Sequence, residues 1–193
     1  LVIEADRVEG RSSSMYDHQM GNCLKKMFKQ DRVKSFAYAI EFIRKLIAVS
    51  VEKIEIDSSE FYHDAVYDLY DFDRDHTHNT KELLLQLTLD SVVILAKEKS
   101  LAFEIFAIEN KKQKSLTILK LLLIGLEAAP KENNLIGFEI LKRLLIEKSY
   151  DYGLQYWMGN LIAAIYPYLN SEQRTELHSI LLILRSKFDF YIR

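Results

Sequence analysis

The sequence predicts an all-α fold made of antiparallel helical hairpins, and three observations carry that expectation. Six Gly and two Pro among 193 residues amount to about 4% of the chain, against roughly 12% in ordinary proteins. That is too few for a β-sandwich or barrel, which turns about every 8–12 residues. Apolar residues at 49% and charged residues at 28% supply a sizeable core and exclude global disorder. From residue 31 onward apolar side chains recur at steps of three and four, the period of one helix face. The expected organisation is an irregular or linker segment at residues 1–30, followed by an all-α domain at 31–193 whose hairpins are clearest at 82–193.

Residues 9–22 (EGRSSSMYDHQMGN) show little periodicity and read as loop. Phe36, Ile40, Ile43 and Ile47, widened by Ala39 and Leu46, form the inner stripe of the first helix, capped by Asp31 or Ser35. Asp57-Ser58-Ser59-Glu60 has capping-box spacing. It predicts a second helix with Phe61 or Tyr62, Val66, Leu69 and Tyr70 facing inward. After the polar run Asp71–Thr80, a strongly apolar helix runs from Glu82 to about Lys97. Ser100 starts a short helix with Leu101, Ile105 and Ile108 on one side and Phe103 and Phe106 close by. Ser115 caps a leucine-rich helix that breaks at Ala129-Pro130. Pro130 suits the first position of the next, which carries Ile136, Ile140, Leu141, Leu144 and Leu145. Asp151 caps a helix ending near Pro167. Asn170 or Ser171 caps the last, through Leu177, Ile180, Leu181 and Leu184.

Spacing then suggests a repeat. Leu123 and Leu161 lie 38 residues apart, while Ile140 and Ile180, Leu141 and Leu181, and Leu144 and Leu184 each lie 40 apart. Residues 115–148 and 151–188 therefore read as two copies of one hairpin, with 82–110 as a third. A two-helix period of about 40 resembles the HEAT and armadillo solenoids. The resemblance implies a stacked array presenting an extended surface to other proteins. A compact helical bundle is the alternative architecture. The cluster Tyr150, Tyr152, Tyr156, Trp157, Tyr166 and Tyr168 reads as packing residues with polar tips, with a binding surface as the alternative.

Charge narrows the partners. The formal net charge is −2, which excludes a domain-wide basic footprint for nucleic acid. Locally, residues 52–75 carry nine acidic side chains against two basic, and residues 111–148 carry eight basic against four acidic. A lone cysteine, Cys23, excludes an internal disulfide and a cysteine-based zinc site. It fits a reducing setting, and the expected localisation is intracellular and cytoplasmic.

Two short motifs touch on membranes. Met20–Lys26 reads MGNCLKK. Were Met20 a start, Gly21 and Cys23 would be candidate acylation sites beside Lys25, Lys26 and Lys29, and only then is a membrane partner expected. Tyr152–Ser171 carries no formal charge over 20 residues, but its Gln, Asn, Gly, Pro and four Tyr fit a buried helix better than a span. The apolar end Phe188, Phe190, Tyr191 and Ile192 reads as a docked terminus or as part of a longer chain.

One constellation has chemical content. Residues 71–82 read DFDRDHTHNTKE and resemble an EF-hand calcium loop. Asp71, Asp73, Asp75, Thr77 (through its carbonyl), Asn79 and Glu82 occupy the six ligand positions. His76 stands where the family has its turning glycine, and His78 where it has an apolar residue, so the resemblance implies weak calcium binding at most. His76 and His78 with Asp73 and Asp75 also offer a transition-metal donor set. His63-Asp64 resembles the paired ligands of HD-type phosphohydrolases, which are likewise all-α and metal-dependent. With no other catalytic constellation, the leading expectation is a non-catalytic scaffold or adaptor that binds other proteins and needs no cofactor. A calcium-responsive module and an HD-type hydrolase are the alternatives.

Overall fold

The computed structural model describes residues 5–51, 61, 62, 64, 66, 80–147 and 153–191. Of these, 83% are α-helical and none forms a strand. The helices are α1 (Ala5–Gln30), α2 (Arg32–Val51), α3 (Thr80–Lys97), α4 (Leu101–Asn110), α5 (Leu116–Ala128), α6 (Asn134–Ile146), α7 (Gln155–Ile165) and α8 (Ser171–Tyr191). A 3-10 turn, Tyr166–Tyr168, follows α7 and contains Pro167. No described helix is long and apolar enough to cross a membrane. The chain forms two compact units: one holds α1, α2 and α3 through Ser91, the other holds residues 61–64 and everything from Val92.

In the first unit the irregular segment expected at 1–30 is instead helical from Ala5. The reason is visible in retrospect. Met20, Leu24, Met27 and Phe28 stand at i, i+4, i+7 and i+8, and no proline interrupts them. Gly21 is buried, and a Cβ there would meet Leu83 Cδ2 at 3.0 Å, so glycine lets the first turns of α3 approach α1. At Asp31 the helix breaks without losing its backbone ladder. The Asp31 N–H donates to Met27 O at 3.0 Å, and Asp31 O accepts from the Ser35 N–H at 3.0 Å. The Asp31 carboxylate caps α2 by accepting from the Lys34 N–H at 3.0 Å. Phe36, Ala39, Ile40, Ile43 and Ile47 are buried as expected, while Leu46 is exposed. Within α3, buried Thr88 and Ser91 satisfy their hydroxyls on Leu84 O and Leu87 O, both at 2.7 Å.

The helix expected through Phe61 and Tyr62 is not found at those positions. Tyr62 instead forms a parallel β-bridge with Ser115. Its N–H donates to Lys114 O, and its carbonyl accepts from the Leu116 N–H, both at 3.3 Å. Leu69, Tyr70 and the proposed cap at 57–60 lie outside the described residues.

The second unit is organised around α5. Leu116, Ile118, Leu119, Leu121, Leu122, Leu123 and Leu126 are all buried, and so are Thr117 and Lys120, so the helix is enclosed on nearly every side. Helices α4, α6 and α7 pack on it, and α6 packs in turn on α7 and α8. Gly125 marks the tightest approach. A Cβ there would collide with the Phe103 ring and stand 2.8 Å from Val92 Cγ1. The α3–α4 corner is equally tight. Lys99 takes a left-handed backbone at φ 54°, and the Ser100 N–H returns to Leu95 O at 2.9 Å, a Schellman closure. Caps follow the sequence at Ser100 and Ser115, whose hydroxyls accept from the Ala102 and Ile118 N–H groups. Asn170 and Gln173 cap α8 reciprocally, at 2.9 and 3.0 Å.

Three local expectations change. Pro130 does not open α6; a turn occupies 130–133, where the Asn133 amide bonds Ala129 O at 2.9 Å and holds the chain off the helix until Asn134. Asp151 lies outside the described residues, and α7 starts at Gln155 with no side-chain cap. Leu177 is buried in α8, but Ile180 and Leu181 are only half-buried.

Gly125→Ala should therefore destabilise the protein by about 1–3 kcal/mol through overpacking. Leu141→Ala, at a fully buried site, should cost about 2–5 kcal/mol and Leu181→Ala clearly less. Urea unfolding of the three variants checks both statements; a neutral Gly125→Ala would show that α4 and α5 do not approach so closely.

Candidate interaction surfaces

The chemistry-bearing residues of the sequence are dispersed. Asp71, Asp73, Asp75, Thr77 and Asn79, with His76 and His78, lie outside the described residues. Glu82 sits in the first turn of α3, half-buried. Among the described residues no cluster of three His, Cys, Asp or Glu is disposed to hold a metal. Gly21 and Cys23 lie inside α1, the first buried and the second exposed.

Asp64 is described, although its neighbour His63 is not. It is 2% exposed. Its Oδ2 accepts from Ser115 Oγ at 2.6 Å and from the Thr117 N–H at 3.1 Å. Its Oδ1 accepts from Thr117 Oγ1 at 2.7 Å. The carboxylate thus caps the N-terminus of α5 from outside that helix, where the helix dipole favours negative charge. Both oxygens are engaged by protein donors, so service in a metal-binding His–Asp pair would require giving those donors up. Around it the Tyr62 phenol is held above its ordinary pKa by burial and then by the Asp64 charge. Phe61 is buried with Lys114 Nζ 4.3 Å and the Arg143 guanidinium carbon 5.7 Å from its ring centre. Glu147 joins these two cations, at 2.8 Å from Lys114 and 3.5 Å from Arg143. This constellation is a clasp: it fastens the segment at 61–64 to α5 and α6.

Among the described residues, apolar surface faces outward in both units. In the second unit, Leu101, Ile105 and Ile108 form a stripe along α4 and are 68%, 47% and 51% exposed. The sequence placed these three residues on one side of the helix with Phe103 and Phe106 close by. The structure buries Phe103, Phe106 and Ala107 instead; a ten-residue helix with two apolar faces gains more by burying its aromatic one. Beside the stripe a groove of about 350 Å³ opens between Phe103 and Ile108 of α4 and Leu135 and Ile136 of α6. The Lys99–Glu132 ion pair, at 3.0 Å, stands at its edge.

In the first unit a second groove, of about 440 Å³, is lined by Met20, Leu24, Met27, Tyr38, Phe42 and Leu84, with Ser35 and Thr80 as its polar members. A linker at residues 1–30 would leave no such groove. The three- and four-residue spacing of Met20, Leu24 and Met27 was the available signal.

No protein-family model matches the chain, and neither the curated proteins nor the solved structures yield a significant match.

Asp64→Ala should cost more than about 2 kcal/mol, since it strands buried hydroxyl and amide donors that each cost about 1–3 kcal/mol when unpaired. Asp64→Asn keeps an acceptor and should cost less. Chemical denaturation of both variants is the check, and a cost below about 0.5 kcal/mol for the alanine variant would rule out the clasp.

Proposed function

We propose that this chain is a non-catalytic protein–protein interaction module, an adaptor or scaffold segment built of stacked helical hairpins. The observation that carries the proposal is the α4 stripe with its adjoining groove. An apolar stripe at Leu101, Ile105 and Ile108, continued by exposed Leu135, is the kind of surface that marks a docking site. The order of packing in the second unit supports the hairpin array. α5 meets α6 within one hairpin, while α5 meets α7 and α6 meets α8 between successive hairpins. Corresponding helices of neighbouring units lie together in this way in a HEAT- or armadillo-like stack.

The stripe also suits the chemistry of recognition. Leu and Ile side chains bury about 1.5–3 kcal/mol each when a partner covers them. The Lys99–Glu132 pair at the groove edge supplies a polar rim that fixes orientation more than it adds affinity.

A photo-reactive residue placed at Ile105 should cross-link discrete proteins in cells, whereas one at the exposed neighbour Glu104 should give far less. Leu101→Asp combined with Ile108→Asp should reduce the Ile105 products at least tenfold while leaving the helical circular dichroism intact. Equal labelling from both positions would remove the α4 stripe as a docking surface.

A further inference from the structure

We infer that the slot filled by the clasp is a peptide-recognition site held shut in cis. An extended segment of a partner protein, with an aromatic residue and a carboxylate three positions after it, replaces residues 61–64 there. The inference stands apart from the α4 stripe and does not depend on it.

Receptor and filler are separate pieces of chain. The second unit is made of residues 55–64 and 92–193, and the sequence between them belongs to the first unit. Every group that receives the clasp comes from the later piece: Lys114, Ser115, Leu116, Thr117 and Arg143. The clasp supplies a buried ring, one residue's backbone pair and a carboxylate. Tyr62 bonds Lys114 and Leu116 through its own N–H and carbonyl, as an extended peptide does when it pairs with an exposed backbone edge.

Chemistry then defines the ligand. The cations of Lys114 and Arg143 stand 4.3 and 5.7 Å from the Phe61 ring centre and favour an aromatic face between them. The Ser115 and Thr117 hydroxyls and the Thr117 N–H converge on one carboxylate at 2.6–3.1 Å. The clasp is nonetheless an incomplete ligand. The Arg143 Nε is buried and has no acceptor, while its terminal nitrogens bond Glu147 and Gln113 O. A segment with one more acceptor beside its aromatic residue makes a bond that the clasp lacks. A tethered segment competes as a free ligand would at about millimolar concentration. A partner with the same contacts and that additional bond therefore displaces it.

Peptide binding to the full chain tests this, with the sequence of residues 59–66 as the probe. The clasp is closed, so its free equivalent should bind an emptied slot with a dissociation constant below about 1 mM. Phe61→Ser combined with Asp64→Ser empties the slot and leaves its walls intact. That variant should bind the peptide with the largest amide NMR shifts at residues 114–118. The unaltered chain should bind at least tenfold more weakly, and so should the variant with an Asp64→Ala peptide. Among peptides with one added Asp, Glu or Asn beside the aromatic residue, at least one should bind severalfold tighter. Arg143→Lys, which has no Nε, should cancel that gain. Phe61→Ala alone keeps the polar contacts of Asp64 and should give the same order. Equal affinity for the emptied and unaltered chains overturns the inference, as does indifference to the peptide carboxylate or the lack of any tighter peptide. Loss of helical circular dichroism in both variants that the peptide does not restore overturns it too. A dimer of the unaltered chain that the peptide dissolves would assign the slot to a second copy and overturn the partner.

Discussion

The near-complete burial of α5 is the constraint on which the second unit depends. A helix whose leucines and isoleucines point to almost every side has little face to give to water, so its neighbours must enclose it. α4, α6 and α7 do so, and each can reach it only because particular positions are small or shaped to fit. Gly125 admits the Phe103 ring and Val92. Gly137 of α6 plays a milder part, with Ile165 of α7 at 3.5 Å from where a Cβ would stand. Close packing of this kind leaves little freedom for the helix axes, because interiors packed to crystal density do not absorb an extra methyl group without movement.

The N-terminal end of so enclosed a helix raises a polar problem. Its first N–H groups have no partners within the helix, and water is excluded from much of their surroundings. Ser115 answers for Ile118, and Asp64 answers for Thr117. The Ser115 hydroxyl serves twice, accepting from Ile118 and donating to Asp64. Tyr62 adds a backbone pairing on either side of the same cap. The fastening of Tyr62 and Asp64 is thus the means by which this largely buried helix begins without stranding these donors.

Fold class and most helices were legible in the sequence because they depend on local pattern: periodicity, Ser100, Ser115 and Asn170 caps, and the break at Ala129-Pro130. What escaped was decided by competition between distant groups. Both faces of α4 are apolar; burial of the aromatic one is the larger gain, and Gly125 opposite Phe103 leaves the room for it. Phe61 and Tyr62 carry an apolar pattern that suits a helix, yet a parallel bridge to Ser115 claims their backbone. Asp64 looked like half of a catalytic pair because a carboxylate beside a histidine has the same letters whether it meets a metal or a helix end. The groove on α1 was hard to read because residues 9–22 show little periodicity, while Met20, Leu24 and Met27 straddle the end of that stretch.

The Asp64 clasp has a kinetic side. Asp64 and Ser115 are 51 residues apart, and closing a flexible loop of that length costs roughly 3–4 kcal/mol of chain entropy. Hydrogen bonds worth about 1 kcal/mol each only match that cost, so closure becomes favourable once α5 and its neighbours already present Ser115, Thr117 and the site for Phe61. The clasp is then expected to be a late contact in folding, formed after the transition state. Weakening it should leave the refolding rate nearly unchanged and speed unfolding. In a stopped-flow chevron of Asp64→Asn, a folding limb that slowed as much as the unfolding limb quickened would place the clasp in the nucleus instead.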